Sequence, residues 1–498
     1  MSVRRYRFGP LEQRAVVGPL RAGQVVIVAI GAVLGLGSLY SLRSVVGLVV
    51  GVLALCVAVA AICVPIEGRT AEEWAPVVGG WLRRRRRAER GHRSAAPSAG
   101  TRQNDQGEAE HETSLPPALA DLKMLAVPYG ADEVGVIEDR RGGTFTAALA
   151  VRAGAFAMRD SAEQERVLDG WGAVLASCAR DGSPIRRLQW IEQTLPGQGD
   201  ELAAHFQAQR DRAVPLDSDV VRSYIELVES AAPQTTDHEV LIAVQIDQRR
   251  GAKELRRLGG GVEGACQLLL REAESLAERL TVAEVSVSGL LRPRQYAGLI
   301  RDAFDPFGRQ GRARAALGQD GREGVEPALM GPLADETSWS TYRTDSALHA
   351  TYWIASWPRS DVGPMFMAPL LMQTSALRTV AVTIEPVPYS LAMRRAEAAQ
   401  TAEVAEEINR SRQGFMSTAR IRRRQQAASR REEELADGHA EMRWIGCVRT
   451  SARSTDELDY AKSEVEHGAQ LARLSLQPFF GEQDTAFCNT LPICRGLR

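Results

Sequence analysis

"EVGVIEDRRGGTFTAALAVR", Glu133 to Arg152, carries two period-2 apolar stretches on either side of Arg140, Arg141, Gly142 and Gly143. Alternation puts one face of each stretch in a core, and the Gly pair allows a tight reversal, so the segment predicts a β-hairpin. The rhythm continues outward. "SAEQERVLDGWGAVLASCAR" opens with Ser161 as an N-cap and sets Val167, Trp171, Val174, Leu175 and Cys178 on one helical face. Further strands are predicted at Ile185–Gln193, "EVLIAVQID" from Glu239, "VAEVSVSGL" from Val282, "HATYWIASWP" from His349, "RTVAVTIEPVP" from Arg378 and "MRWIGCVRTSA" from Met442. Helices are expected at Asp219–Ala231, Lys253–Leu280, Pro293–Phe304, Ser454–Leu471 and Glu482–Leu491. Strand pairs separated by amphipathic helices point to an α+β domain of ferredoxin-like or split-βαβ units, covering 119–388 and resuming at 438–498.

The chain has 498 residues, 44% hydrophobic and 25% charged, room for two or three domains. A formal net charge of -1 gives no general polyanion-binding character, and direct nucleic-acid binding is disfavoured. The seven cysteines are scattered without CxxC spacing, which indicates neither a zinc site nor a disulfide framework. No GxxxxGK[ST], HExxH, GxSxG or EF-hand spacing occurs. The glycine-rich "RRLGGGVEGACQ" at Arg256–Gln267 lacks the preceding apolar strand of a dinucleotide loop and reads as a helix entry. His349 opens an aromatic strand without a second ligand or nucleophile and reads as a packed strand-end histidine. No catalytic residue, metal ligand or cofactor site is assigned, and the chain is not expected to be an enzyme.

Residues 1–87 read differently. "QVVIVAIGAVLGLGSLY" (about 24–40) and "VVGLVVGVLALCVAVAAICV" (45–64) are uncharged apolar runs around the turn "SLRS". At 1.5 Å per residue they cover roughly 25 and 30 Å, which predicts a transmembrane hairpin. Arg4, Arg5, Arg7, Arg14 and Arg21 precede it and Arg69 with Arg83–Arg87 follows, placing both termini in the cytoplasm of a bacterial cell by the positive-inside rule. The lipid bilayer is then the first partner, with the arginine run against anionic headgroups. Gly31 with Gly35 and Gly47 with Gly51 provide small-xxx-small spacing for close helix packing. No ionisable side chain lies inside either run, so the hairpin anchors and does not conduct.

Residues 88–118 are rich in Ala, Ser, Gly and Pro and predict a flexible tether with a reach near 30 Å. Residues 389–437 are long, charged and Ala-rich and predict a helical arm. The closing "LQPFFGEQDTAFCNTLPICRGLR" is apolar to its end. Phe479, Phe480 and Phe487 suit a core, whereas Leu491, Pro492, Ile493, Arg495, Gly496 and Leu497 suit an edge completed by a partner.

The leader and hairpin, "RRYRFGPLEQRAVVGPLRAGQVVIVAIGAV", resemble the PrgI-type family, the small two-helix inner-membrane subunit of type IV secretion and conjugation machines. "HATYWIASWPRSDVGPMFMAPLL", "RTVAVTIEPVPYSLAMRR" and "QPFFGEQDTAFCNTLPICRGLR" resemble the N-terminal, non-motor domain of the accompanying secretion ATPase. The combination is similar to actinobacterial membrane proteins that fuse the two. The resemblance implies a membrane-anchored structural component that docks a separate P-loop secretion ATPase, beside other membrane secretion subunits and identical copies of itself, with the chain ending where a motor would begin. The alternative is a type VII secretion apparatus subunit, which also joins two spans to a cytoplasmic domain; a membrane-associated enzyme is the third reading.

Overall fold

The computed structural model describes residues 22–42, 44–63, 67, 69–86, 91–94, 102–103, 109–110, 115–154, 156–196, 218–223, 236–309, 312, 324–412, 429 and 432–497. The helices are α1 (Ala22–Leu42), α2 (Val45–Cys63), α3 (Ala71–Arg86), α4 (Ser161–Cys178), α5 (Ala252–Arg257), α6 (Gly261–Val282), α7 (Pro293–Phe304), α8 (Ala368–Met372), α9 (Tyr389–Arg412), α10 (Thr455–Leu471) and α11 (Gln483–Cys488). The main strands are β1 (Leu122–Tyr129), β2 (Asp132–Asp139), β3 (Thr144–Ala153), β4 (Ile185–Pro196), β5 (Thr236–Asp247), β6 (Val285–Leu290), β7 (Asp335–Thr337), β8 (Tyr342–Thr344), β9 (Ala347–Ser356), β10 (Leu377–Pro386), β11 (Met442–Ala452) and β12 (Ser475–Pro478).

These twelve strands form one antiparallel sheet in the order β1-β2-β3-β5-β4-β10-β11-β9-β8-β7, with β6 beside β3 and β12 beside β9. The order is a palindrome of two similarly connected units. β3-α4-β4-β5-α6-β6 gives the lateral order β6-β3-β5-β4, and β9-α8-β10-β11-α10-β12 gives β12-β9-β11-β10. Each is a β-α-β-β-α-β ferredoxin-like unit. Each is preceded by a small hairpin, β1-β2 or β7-β8, and the units join edge to edge where β4 pairs with β10, Trp190 opposite Val382.

Strand alternation divides the sheet into two faces. On one, Phe145, Leu149, Leu188, Val244 and Ile246 pack under α4 and α6, while Val380 and Val448 pack under α8 and α10. On the other, Ile137, Ala148, Ile191, Ala243 and Ala381 pack under α7 and the chain's last residues. Local signals set the helix starts. Asp160, not the expected Ser161, caps α4 by accepting from the Glu163 N–H at 2.8 Å, and Ser454 caps α10 by accepting from Glu457 N–H at 3.2 Å. The expected helix at Lys253–Leu280 is broken into α5 and α6 at Gly259, Gly260 and Gly261, whose φ values of 88°, 73° and 67° no β-carbon residue adopts easily.

The N-terminal part requires correction. The two helices form a hairpin, but among the described residues no helix is long and apolar enough to cross a membrane. The transmembrane hairpin in the expected fold class, and with it the multi-pass location in the bacterial cytoplasmic membrane, is therefore not upheld.

The expected tether at 88–118 is seated at both ends. Ser94 N–H donates to Leu333 O at 2.8 Å and Asp335 N–H to His92 O at 2.9 Å, while Leu115 and Leu119 are buried under α7. The charged arm begins as α9, rooted by Ala392 and Ala396 against Val387 and Leu435. Between 412 and 432 only residue 429 is described, so the middle of the expected arm lies outside the described residues.

Candidate functional site

The small residues of the hairpin do approach closely, though in a different pairing from their sequence spacing. A β-carbon on Gly35 would lie 3.2 Å from Gly51 O, and one on Gly51 would lie 2.9 Å from Gly35 O. Gly31 faces Ala58 instead, and Gly47 O accepts from Ser38 Oγ at 3.1 Å. Gly51→Leu is expected to force the helices apart at a cost of about 1–3 kcal/mol. Disulfide trapping between Gly31→Cys and Ala58→Cys, with and without Gly51→Leu, checks this: trapping should fall when the leucine is present.

The hairpin is tied to the sheet by α3. Trp74 stacks on Trp339 at 5.9 Å and lies 5.9 Å from Phe480, and Trp81 meets Trp339 edge-on at 5.2 Å. Arg84 pairs with Asp484 at 2.9 Å, and the Arg69 guanidinium lies over Trp74 and Phe479. Gly481, with φ of 71°, admits this packing because a β-carbon there would lie 2.7 Å from the Trp339 ring. Sequence reasoning missed this junction, since Trp74 and Trp339 are far apart in the chain and neither sits in a motif.

From Gly481 the chain enters α11 and then crosses the seam between the two units. Phe487 is fully buried, 4.8 Å from Phe304, 5.2 Å from Tyr342 and 4.9 Å from His349, with the Arg449 guanidinium 4.6 Å above its ring. Gln189 of β4 donates to Asn489 O at 2.8 Å and accepts from Cys494 N–H at 2.8 Å. Gln245 of β5 donates to Ile493 O at 3.3 Å, Thr383 of β10 to Arg495 O at 2.9 Å, and Arg187 to Leu497 O at 2.5 Å. Of the residues assigned to a docking edge, Leu491, Pro492 and Ile493 are thus buried in the chain's own core. Arg495, Gly496 and Leu497 are half-buried, and Arg495 pairs with Asp139 at 3.2 Å.

The buried polar groups below the tail are structural in geometry. His349 is wholly buried, with Nε2 2.7 Å from Thr344 Oγ1 and Nδ1 2.8 Å from Ser451 Oγ. Burial, reinforced by the charge of Arg449, holds its imidazole neutral, with a pKa well below 6.5. Its unfolded pKa is the higher one, so stability is full above about 6.5 and falls as protons bind only the unfolded chain, by roughly 1.4 kcal/mol per pH unit. Unfolding free energies from urea titration should fall between pH 7.0 and 5.5 by about 1.3 kcal/mol more for the wild type than for His349→Asn.

Arg449 is also buried, donating to Thr379 Oγ1 at 2.8 Å, while its Nε and Nη1 find no partner among the described residues. Burial pulls its guanidinium down to about 9. A second cluster sits at the end of α7. Arg301 pairs with Asp345 at 2.7 Å, Arg309 with Asp302 at 3.2 Å and with Glu239, and Arg312 with Asp302 at 2.7 Å and with Asp305. Burial raises the Asp302 carboxyl against the pull of Arg312 and Arg309. Asp305 meets the same burial, yet the Ser346 hydroxyl and Arg312 hold it below the usual range. Every carboxylate in this cluster has a cation. Among the described residues no group of His, Cys, Asp or Glu could hold a metal ion, and the described cysteines are all free.

The cluster lies inside a segment that a known family model matches. Residues 234–354 match the family model "EccE: Putative type VII ESX secretion system translocon". No curated protein matches the chain. The EccE-matched segment is about a quarter of the length and runs from β5 through α5, α6, β6, α7, β7 and β8 into β9. It therefore contains the second half of one ferredoxin-like unit, the paired-charge cluster, and the first strand of the other unit. The match supports a component of a protein secretion system and bears on the type VII alternative, not on the type IV reading or its PrgI-type resemblance.

Proposed function

We propose that this chain is a structural subunit of a type VII secretion translocon, a docking platform and not an enzyme, whose apolar helical hairpin packs against apolar helices of neighbouring secretion subunits. The observation that carries this reading is the EccE match over 234–354. The hairpin supports it. Val33, Leu36, Tyr40, Val45, Leu53 and Val57 are each more than half exposed, a continuous apolar surface of the kind that marks an interaction site. The ion pairs around Arg309 and Arg312 tie the end of α7 to β5 within the matched segment. Half-buried Arg495, Gly496 and Leu497 remain the reachable part of a docking edge on the sheet.

Deleting the gene tests the reading. Type VII substrates should disappear from the culture medium, and the full chain supplied in trans should restore them. Undiminished type VII secretion in the deletion strain would contradict the proposal.

A further inference from the structure

Unpaired strand edges invite association, and folded proteins blunt the edges they do not use. Four strands border open sides of this sheet, and three are blunted. β1 carries Lys123 and Pro128. β7 is flanked by the segment 91–94, which bridges Arg93 to Ala334 and accepts from Asp335 N–H at His92 O. β12 ends on Pro478, and its Gln477 donates to Glu67 O at 3.0 Å.

The fourth is β6, "VSVSGL", Val285 to Leu290. It pairs with β3 on one side, and among the described residues no strand lies along the other. It has no charge, no lysine and no proline. Val285, Val287 and Leu290 face the core under α6, while Ser286 and Ser288 are exposed. At its start stand two bare apolar side chains, Val282 at 85% exposure and Met158 at 90%, next to the Arg159–Glu284 ion pair. The internal duplication sharpens the contrast. β12 occupies the same place in the second unit and there Gln477 donates to Glu67 O, whereas among the described residues no segment lies along the outer side of β6.

We infer that the outer edge of β6 pairs antiparallel with β6 of a second copy of this chain, joining two twelve-stranded sheets across a two-fold axis. A second copy fits because the edge is self-complementary. Antiparallel pairing of Val-Ser-Val-Ser with itself sets valines beside valines or serines on each face, and no charge meets a like charge. The neighbouring ion pair is already neutral, so nothing at the rim repels. Val282 and Met158 of each copy would be covered by the far end of the other's β6. A strand of six residues spans about 20 Å, so the contact comprises both the ladder and the flanking apolar ends.

The test uses the full chain with Cys56→Ser and Cys63→Ser. Ser288→Cys should give a covalent dimer with a short bis-maleimide, and Ser463→Cys, exposed on α10, should not. Ser286→Lys in the Ser288→Cys chain should lower the dimer yield about tenfold, since the two added lysines then crowd the same edge. An unchanged urea midpoint for Ser286→Lys separates lost pairing from lost folding. No dimer from Ser288→Cys, or equal yield from Ser463→Cys, or a yield unaffected by Ser286→Lys, would overturn the inference.

Discussion

Phe487→Ala is expected to cost about 3–5 kcal/mol, a large part of the 5–15 kcal/mol that holds a typical domain together. The ring sits where several elements meet. It stacks on Phe304 of α7, meets Tyr342 of β8 and His349 of β9, and supplies the face over which the otherwise sparsely bonded Arg449 guanidinium lies. Removing it opens a cavity and takes away that electrostatic partner in one step. Phe487→Leu keeps most of the volume and should cost about half as much. Urea unfolding of both variants checks this, and a loss below about 1 kcal/mol for Phe487→Ala would mean that the seam is held elsewhere. The same geometry revises the meaning of the apolar tail. Its leucine, isoleucine and phenylalanine side chains close the face of the sheet opposite α4 and α6, so their removal should be felt first in stability.

Trp339→Ala should release α3 from the sheet. The indole touches Trp74, Trp81 and Phe480, and its loss is expected to weaken the junction by about 2–3 kcal/mol. Local opening would then expose the backbone around Arg83–Arg85, and limited tryptic cleavage there should accelerate by more than about tenfold while the sheet stays intact. Trp339→Phe should restore most of the protection. Unchanged cleavage in Trp339→Ala would assign the attachment of α3 to the Arg84–Asp484 pair and the Gly481 carbonyl alone.

Period-2 patterning at Glu133–Arg152, "EVLIAVQID" and "RTVAVTIEPVP" made these strands readable, because each buries one face against helices and the other against the tail. α7 was readable at both ends, where Pro293 stands at N1 and Phe304 closes the apolar face. The duplication was not readable. The two units share connectivity but not side chains, and residues inserted between β4 and β5 and between β10 and β11 hide the repeat. Asp160 displaced Ser161 as the α4 cap because either side chain can accept an N–H, and backbone geometry decides which does. Leu491, Pro492 and Ile493 of the tail are buried where an edge was expected, because apolar residues near a terminus look alike whether they cover the chain's own sheet or another's. What decides between the two is the set of long-range bonds from Gln189, Gln245 and Thr383, which no local pattern records. The aromatic junction of α3 failed to appear for the same reason.

Affinity purification of the tagged full chain from the cells that encode it tests the proposed place in a type VII secretion translocon. Other type VII translocon subunits should co-purify, in reduced amount when the outer face of the hairpin is made polar by Val33→Asp and Leu53→Asp. Recovery of a type IV conjugation ATPase in their place would contradict it.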